Sequence, residues 1–350
     1  LTKTTVKNRF AILLILLLIT SLMGCREINS ETHLYTTEPT ATQTPTTPPI
    51  SVTPEPPEPS ADVESEPSIS DDVLDSNIAE RILRELTQPE YKGRVTGSEE
   101  VIQAGHFLVE VFGDIGLIPY AADSFIMEYA NSDPGIRFFH DDLRGAKGYN
   151  IVGVMPGKDR TKAVVVSAHY DAVGITGGLG ALDNASGVAT MLRVADSLLR
   201  LGEQPETDII FCAFDGEEIG LVGSQAFVLG IKDTYQELFN INIDTIGLSG
   251  VPVLIIGDET LKADISETFT DSGIALDYET MIGGSVVFGS DDTSFRNHGF
   301  AAITIAKLGN EVLAIMHSEN DVLDVLDIAY IENIADVVTA FLMESQGKMY

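Results

Sequence analysis

Five side chains able to ligate a metal stand at or near the ends of apolar runs: His169, Asp183, Glu218, Asp244 and His317. His169 closes Ala163-Val-Val-Val-Ser-Ala-His169 and leads into Tyr170-Asp171. Asp183 sits in Gly180-Ala-Leu-Asp183-Asn-Ala-Ser-Gly187, and Glu218 follows Ile209-Ile-Phe-Cys-Ala-Phe-Asp-Gly-Glu217. Asp244 ends Phe239-Asn-Ile-Asn-Ile-Asp244, and His317 opens His317-Ser-Glu-Asn-Asp321. Nitrogen and carboxylate donors without a thiolate suit zinc at a catalytic rather than a structural site. Glu217, beside a ligand, is the kind of base that a metal-held water needs. A lone strand-end His or Asp is ordinarily a satisfied polar group or a helix cap. Asp183 taken alone reads as the cap of the helix that follows it. Five such positions together do not fit that explanation.

The elements around these residues explain why they should converge. Ile151–Met155, Ala163–Ala168 and Thr207–Phe214 are continuous apolar runs of the kind found in buried strands. Phe239–Ile243, Val251–Ile256 and Ala301–Ala306 are further strand candidates. Helical patterning covers Asp72–Leu86, Ser98–Ile115 (with Ser98 as its cap), the stripe Val188 to Leu199, a helix around Val222–Leu229, Glu259–Ser272 and Ile328–Met343. Such alternation predicts an α/β sandwich around a largely parallel sheet. In open α/β sheets ligands bind beyond the carboxyl ends of the strands. His169, Glu217 with Glu218, and Asp244 each follow a strand, so the chain delivers them to one sheet edge.

Composition bounds the rest. A formal net charge of −32 argues against nucleic acid as a partner, since binding it needs a basic patch. Residues 1–25 read as a signal sequence: Lys3, Lys7 and Arg9 precede the apolar stretch from Phe10 to Ile19, which is too short to span a membrane comfortably. Leu22-Met-Gly-Cys25 resembles the bacterial lipobox, whose cysteine becomes lipid-modified. Residues 26–70 read as a disordered linker: nine of the 15 prolines fall between Pro39 and Pro67, and from Glu31 to Glu80 there are 11 acidic residues and no Lys or Arg. Residues 71–350 are then the folded domain, held outside the cytoplasm at the membrane by the lipid on Cys25. Cys212 lies within an apolar run and reads as a small buried hydrophobe.

Residues 91–345 resemble the secreted and lipid-anchored bacterial zinc aminopeptidases, a family that also includes glutamate carboxypeptidases and glutaminyl cyclases. The matching segments are Gly148-Tyr-Asn-Ile-Val-Gly-Val, His169-Tyr-Asp171, Asp183-Asn-Ala-Ser-Gly187, Glu217-Glu218, Asp244-Thr-Ile-Gly247, Ser290-Asp291 and His317-Ser-Glu-Asn-Asp321. The intervals between ligands, 14, 35, 26 and 73 residues, suit it. The resemblance implies a three-layer α/β/α sandwich of the zinc-dependent exopeptidase type, with a central mixed, largely parallel sheet. It implies two zinc ions bridged by Asp183, with His169 and Asp244 completing one site and Glu218 and His317 the other. A bridging carboxylate offsets the repulsion of cations held ~3.5–4 Å apart. It implies further that Asp171 orients His169 through its other ring nitrogen, and that Glu217 takes a proton from the attacking water and passes it to the leaving amine.

Two departures stand out. Relatives commonly carry a histidine after the Ser-Asp pair, where this chain has Asp292, and several carry a tyrosine near the last ligand, where this chain has Met316. The expected activity is removal of N-terminal residues from peptides. Carboxypeptidase action would need a basic clamp, for which Lys232, Arg296 and Lys307 are the candidates. Glutaminyl cyclases usually build their pocket with tryptophan and rely on one zinc; this chain has no Trp and keeps the ligands of both metals. A non-catalytic membrane-anchored binding protein of the same fold is the alternative outside enzymes.

Overall fold

Continuous β-branched sequence makes strands buried on both faces, and this chain places four of them side by side. The computed structural model describes residues 77–121, 123–130, 145–174, 177–278 and 289–350. The predicted signal sequence, Cys25, the linker and the first residues of the Asp72–Leu86 helix lie outside them. Strands β1 (Ile118–Pro119), β2 (Ile126–Ala130), β3 (Lys147–Met155), β4 (Asp159–His169), β5 (Thr207–Phe214), β6 (Glu237–Ile243), β7 (Val253–Gly257) and β8 (Ala301–Lys307) form one sheet. Its order is β1-β3-β5-β4-β6-β8-β7, with β2 also paired to β3. The central strands β5, β4, β6 and β8 run parallel, and β3 and β7 flank them antiparallel. All eight residues of β5 are buried, as a strand covered on both faces requires.

Helices cover the two faces. On one lie α1 (Ile78–Leu86), α2 (Glu99–Asp114), α3 (Ser186–Leu201), α5 (Glu259–Asp271) and α8 (Ile328–Glu344), which share a core with Val164, Val166, Phe211, Ile241 and Ile303. On the other lie α4 (Val222–Ile231) and the short α6 (Asp292–Arg296); their Phe227 and Phe295 meet Phe214 and the opposite residues of the same strands, Val165 and Ile210. The α/β sandwich predicted from alternation, and the three layers that the resemblance implies, are thus present. The short α7 (Asn310–Leu313) precedes the last predicted ligand.

Local chemistry sets the helix starts. Ser98 Oγ accepts the Val101 N–H at 3.1 Å, as the sequence led us to expect, while Asp258 and Asp327 cap α5 and α8 in the same way. Asp183 does not cap α3. That work falls to Asn184, whose Oδ1 accepts the Gly187 N–H at 2.9 Å and the Thr245 N–H at 3.2 Å while its Nδ2 donates to the Ile243 carbonyl. One amide side chain therefore bolts the start of α3 to the end of β6 and leaves the Asp183 carboxylate free. Strands β1 and β2, and helices α6 and α7, have no counterpart among the sequence-predicted elements. Cys212 is buried and unpaired in β5.

Candidate metal centre

Parallel register brings the strand ends level. Ser167 of β4 pairs with Cys212 of β5 and with Asn242 of β6, so His169, the Asp215–Glu218 turn and Asp244 leave the sheet at one edge. Gly216, at φ 78, makes the turn that delivers the two glutamates; a side chain there would collide with Val222 and Tyr129. Asp183 comes from the distorted turn Ala181–Ala185 ahead of α3, and His317 from the loop after α7.

All five predicted ligands meet. Asp183 divides its carboxylate: Oδ1 lies 3.3 Å from His169 Nε2, and Oδ2 lies 2.9 Å from His317 Nε2. Asp244 Oδ1 lies 3.7 Å from His169 Nε2, and Glu218 Oε2 lies 3.1 Å from His317 Nε2. The donors form two groups, His169 with Asp244 and Glu217, and Asp183 with Glu218 and His317. Within each, the ligand atoms lie within 4.8 Å of one another. Glu217 therefore faces the first group.

The supporting bonds select which donor atoms stay free. His169 Nδ1 faces the Asp171 carbonyl oxygen at 3.1 Å, which leaves Nε2 toward the centre. The Asp171 carboxylate lies farther from that nitrogen, at 3.5 Å. It accepts instead from the Thr96 hydroxyl at 2.8 Å and from the Glu217 and Glu218 N–H groups at 3.2 Å. Asp171 thus positions the two glutamates as well as the histidine. Asp244 Oδ2 accepts from Ser290 Oγ at 2.7 Å; Ser290 accepts from Asn242, and Asn242 accepts from Ser167. This relay leaves Asp244 Oδ1 buried with no hydrogen-bond partner, as is Glu218 Oε1. Orphaned buried carboxylate oxygens are costly unless a cation meets them. Nitrogen and oxygen donors of this kind, with one carboxylate shared, fit two zinc ions.

The electrostatics say the same. Burial pushes Glu218 up to about 7, with Asp183 adding to the shift. Burial also raises Glu217 well above the usual carboxylate range, helped by Glu218, Asp291 and Asp244. Burial opposes charge on His317, yet Asp183 and Glu218 overcome it and hold the ring up at about 11. His169 is raised in the same sense against its burial, by Glu217, Asp171, Asp183 and Asp244. More carboxylates converge than the positive charge available can balance, which favours the protonated forms in the metal-free chain.

A cavity of about 260 Å³ opens on the centre, lined by Asp183, Glu217, Glu218, Asp244, Thr245, Gly289, Met316 and His317. No lysine or arginine is among these described lining residues. Arg296 pairs with Asp292 at 2.7 Å, and Lys307 donates to the Leu248 and Val251 carbonyls beneath the Tyr330 ring. Lys232 is the exposed cap of α4. Asp292 is buried and also accepts from Thr304.

Sequence reasoning missed Asn184 as the strut of the Asp183 turn. It also missed Arg94, a fully buried guanidinium that donates to the carbonyls of Leu86, Tyr170, Leu179 and Gly180. These bonds join the loop after His169 to the loop before Asp183. The position of Asn184 in Asp183-Asn-Ala-Ser-Gly187 was a usable cap signal; Arg94 carried none.

Known proteins resemble the chain at this level. The model of peptidase family M28 matches residues 150–342. Leupeptin-inactivating enzyme 1 of Streptomyces exfoliatus is 30% identical over 158 residues, 44% of this chain and 35% of that protein. Aminopeptidase YwaD of Bacillus subtilis (strain 168) is 29% identical over 208 residues, 57% of this chain and 45% of that protein. The chain spans less than half the length of these two curated relatives. Among solved structures, a leucine aminopeptidase precursor from Bacteroides thetaiotaomicron superimposes with a TM-score of 0.61 at 19% identity, over 76% of this chain and 95% of that one. Porphyromonas gingivalis glutaminyl cyclase gives 0.59 at 20%, over 77% and 97%. The two share this fold.

Proposed function

Because the chain belongs to peptidase family M28, we propose that it is a two-zinc aminopeptidase that removes N-terminal residues from peptides. The observation that carries this reading is the cavity itself: a donor set split around Asp183, Glu217 beside it, and an acidic lining with no Lys or Arg among its described residues. Carboxypeptidase action would need a cation to clamp the substrate's carboxylate, and the described lining residues offer no Lys or Arg for it. The candidate clamps Arg296 and Lys307 are engaged elsewhere.

His169, Asp244, Asp183, Glu218 and His317 would hold the ions, which when bound supply Lewis-acid polarisation of the scissile carbonyl and acidify water. Burial and its carboxylate neighbours favour the protonated form of Glu217 in the metal-free chain. Once that negative charge is neutralised it becomes a base. Its carboxylate then accepts a proton from the attacking water and returns it to the leaving amine nitrogen. Asp171 holds the Glu217 and Glu218 backbone in place meanwhile.

Glutaminyl cyclase action shares the fold, but the chain has no Trp and presents donors for both ions. A binding protein without activity would have no use for Glu217. The lipobox-like Leu22-Met-Gly-Cys25 supports an extracytoplasmic enzyme anchored to the membrane through lipid on Cys25, with residues 26–70 as its tether. Purified chain should hydrolyse amino-acid anilides, lose activity to a chelator and regain it with zinc. N-acetylated anilides should resist. Equal cleavage of free and acetylated substrates, or turnover only of N-terminal glutamine without hydrolysis, would overturn the proposal.

A further inference from the structure

We propose that Asp321 is a positioning residue that fastens the Asp183 turn to the His317 loop and so holds these two ligands in register. The inference rests on the two-zinc reading above. Asp321 follows His317 by four residues and is buried, but it does not line the 260 Å³ cavity. Its Oδ1 accepts the Leu182 N–H at 2.6 Å and its Oδ2 accepts the Asp183 N–H at 3.2 Å. Its own carbonyl accepts the Leu179 N–H at 2.8 Å, and its N–H donates to the Ser318 carbonyl at 3.1 Å. One residue thereby closes the loop that carries His317 and anchors two amides of the turn that carries Asp183 and one just before it.

The turn needs such an anchor. Asp183 itself has left helical backbone, at φ −119 and ψ 87, and its side chain must address two histidines at once. His317 stands at φ 55, a region a non-glycine residue occupies only when its surroundings enforce it. An ionised carboxylate accepting two backbone N–H groups makes charge-assisted bonds, stronger than the neutral ones elsewhere in the loop.

A second contact, independent of the carboxylate, presses the same two segments together. A Cβ on Gly178 would lie 2.2 Å from the Ser318 carbonyl oxygen, so the loops cross at a point where only glycine fits. The inner donors have their own bracing, His169 from the Asp171 carbonyl and Asp244 from Ser290. With the clamp lost, the inner ion would still have His169 and Asp244 held in place, so the larger loss should fall on the outer ion, which depends on Asp183 and His317 keeping their register.

The test is zinc titration of the metal-free chain, with the metal-free melting temperature as control and His317→Ala as the reference for a damaged outer site. Asp321→Ala should keep one tight ion and bind the second about tenfold or more weakly, the scale on which groups behind the ligands act. Asp321→Asn keeps an oxygen acceptor for one amide and should fall between Ala and the unsubstituted chain. Gly178→Ala leaves the carboxylate in place but spreads the loops, and should show the same selective loss. Two ions bound with unaltered affinity in Asp321→Ala would overturn the clamp. So would equal weakening of both ions in Asp321→Asn and Gly178→Ala, which is the mark of general destabilisation. If the unsubstituted chain takes up no second zinc, the two-ion reading fails, and the clamp with it.

Discussion

The two halves of the metal centre are built differently. The inner half, His169 and Asp244, is buried and stands directly on the ends of β4 and β6. Each of its ligands is braced from behind, one by the Asp171 carbonyl and the other through a relay of Ser290, Asn242 and Ser167 that runs back into the sheet. The outer half, Glu218 and His317, stands on turns, and the His317 side chain is 44% exposed. Its bracing comes from loop-to-loop bonds rather than from strands. Rigid, buried donors favour tight and slowly exchanging metal, whereas donors on exposed loops open more readily. Asp183, with one oxygen toward each histidine, is the single side chain that belongs to both.

Breaking the shared residue should have the largest effect. Asp183→Ala is expected to weaken both ions and abolish turnover, while His317→Ala should cost mainly the outer one. Metal analysis and chelator time courses check this; full zinc occupancy in Asp183→Ala would remove the basis for a shared ligand. The next effect separates proton transfer from metal holding at adjacent positions. Glu217→Gln should keep both ions and lose rate by ~10²–10⁴-fold, whereas Glu218→Gln should lose the outer ion as well. Near-normal turnover by Glu217→Gln at saturating zinc would rule out the base role.

The smallest effect concerns pH. In the metal-free chain His317 is raised from 6.5 to about 11. Its stabilising contribution is complete below the unfolded value and is lost as pH rises through the folded one. Glu218, raised from 4.5 to about 7, likewise holds an extra proton in the folded state, and stability falls as pH climbs through that window. Asp183 acts in the opposite sense, but only below its ordinary 3.8. The metal-free chain should therefore lose stability as pH rises above 4.5. Zinc takes the place of those protons, so the rise in melting temperature on adding zinc should grow with pH. A zinc-induced shift that stays flat or shrinks as pH rises would contradict this account of the outer half.

What could be read from the sequence follows from the same contrast. The inner half was legible because a buried parallel strand announces itself as an unbroken β-branched run, and a charged residue at its end has few bland explanations. Thr207–Phe214 has the predicted bounds, and β6 and β8 differ from theirs by a residue or two. The bracing was not legible. Asn184, Asp321 and Arg94 act chiefly through side-chain bonds to backbone groups 59 to 139 residues away, and no local pattern records such partners. Asp171 was expected to orient His169 through its other ring nitrogen, but only the fold shows its carboxylate turned to the amides of the two glutamates. Strands β1 and β2 are too short, and too mixed in burial, to leave a period in the sequence.

The separation of the ligands along the chain has a consequence for when activity can begin. No two of the five are closer than 14 residues, and the last lies 73 residues beyond its neighbour. An extended or newly made chain therefore contains no fragment that could assemble the centre. It exists only after β5, β4 and β6 have paired across long sequence separations, which is the slow, non-local part of folding such a sheet. Metal capture thus reports completion of the fold, and the free energy of binding becomes free energy of folding. A chain built this way has no assembled set of metal donors while it is still an open, cleavable polymer.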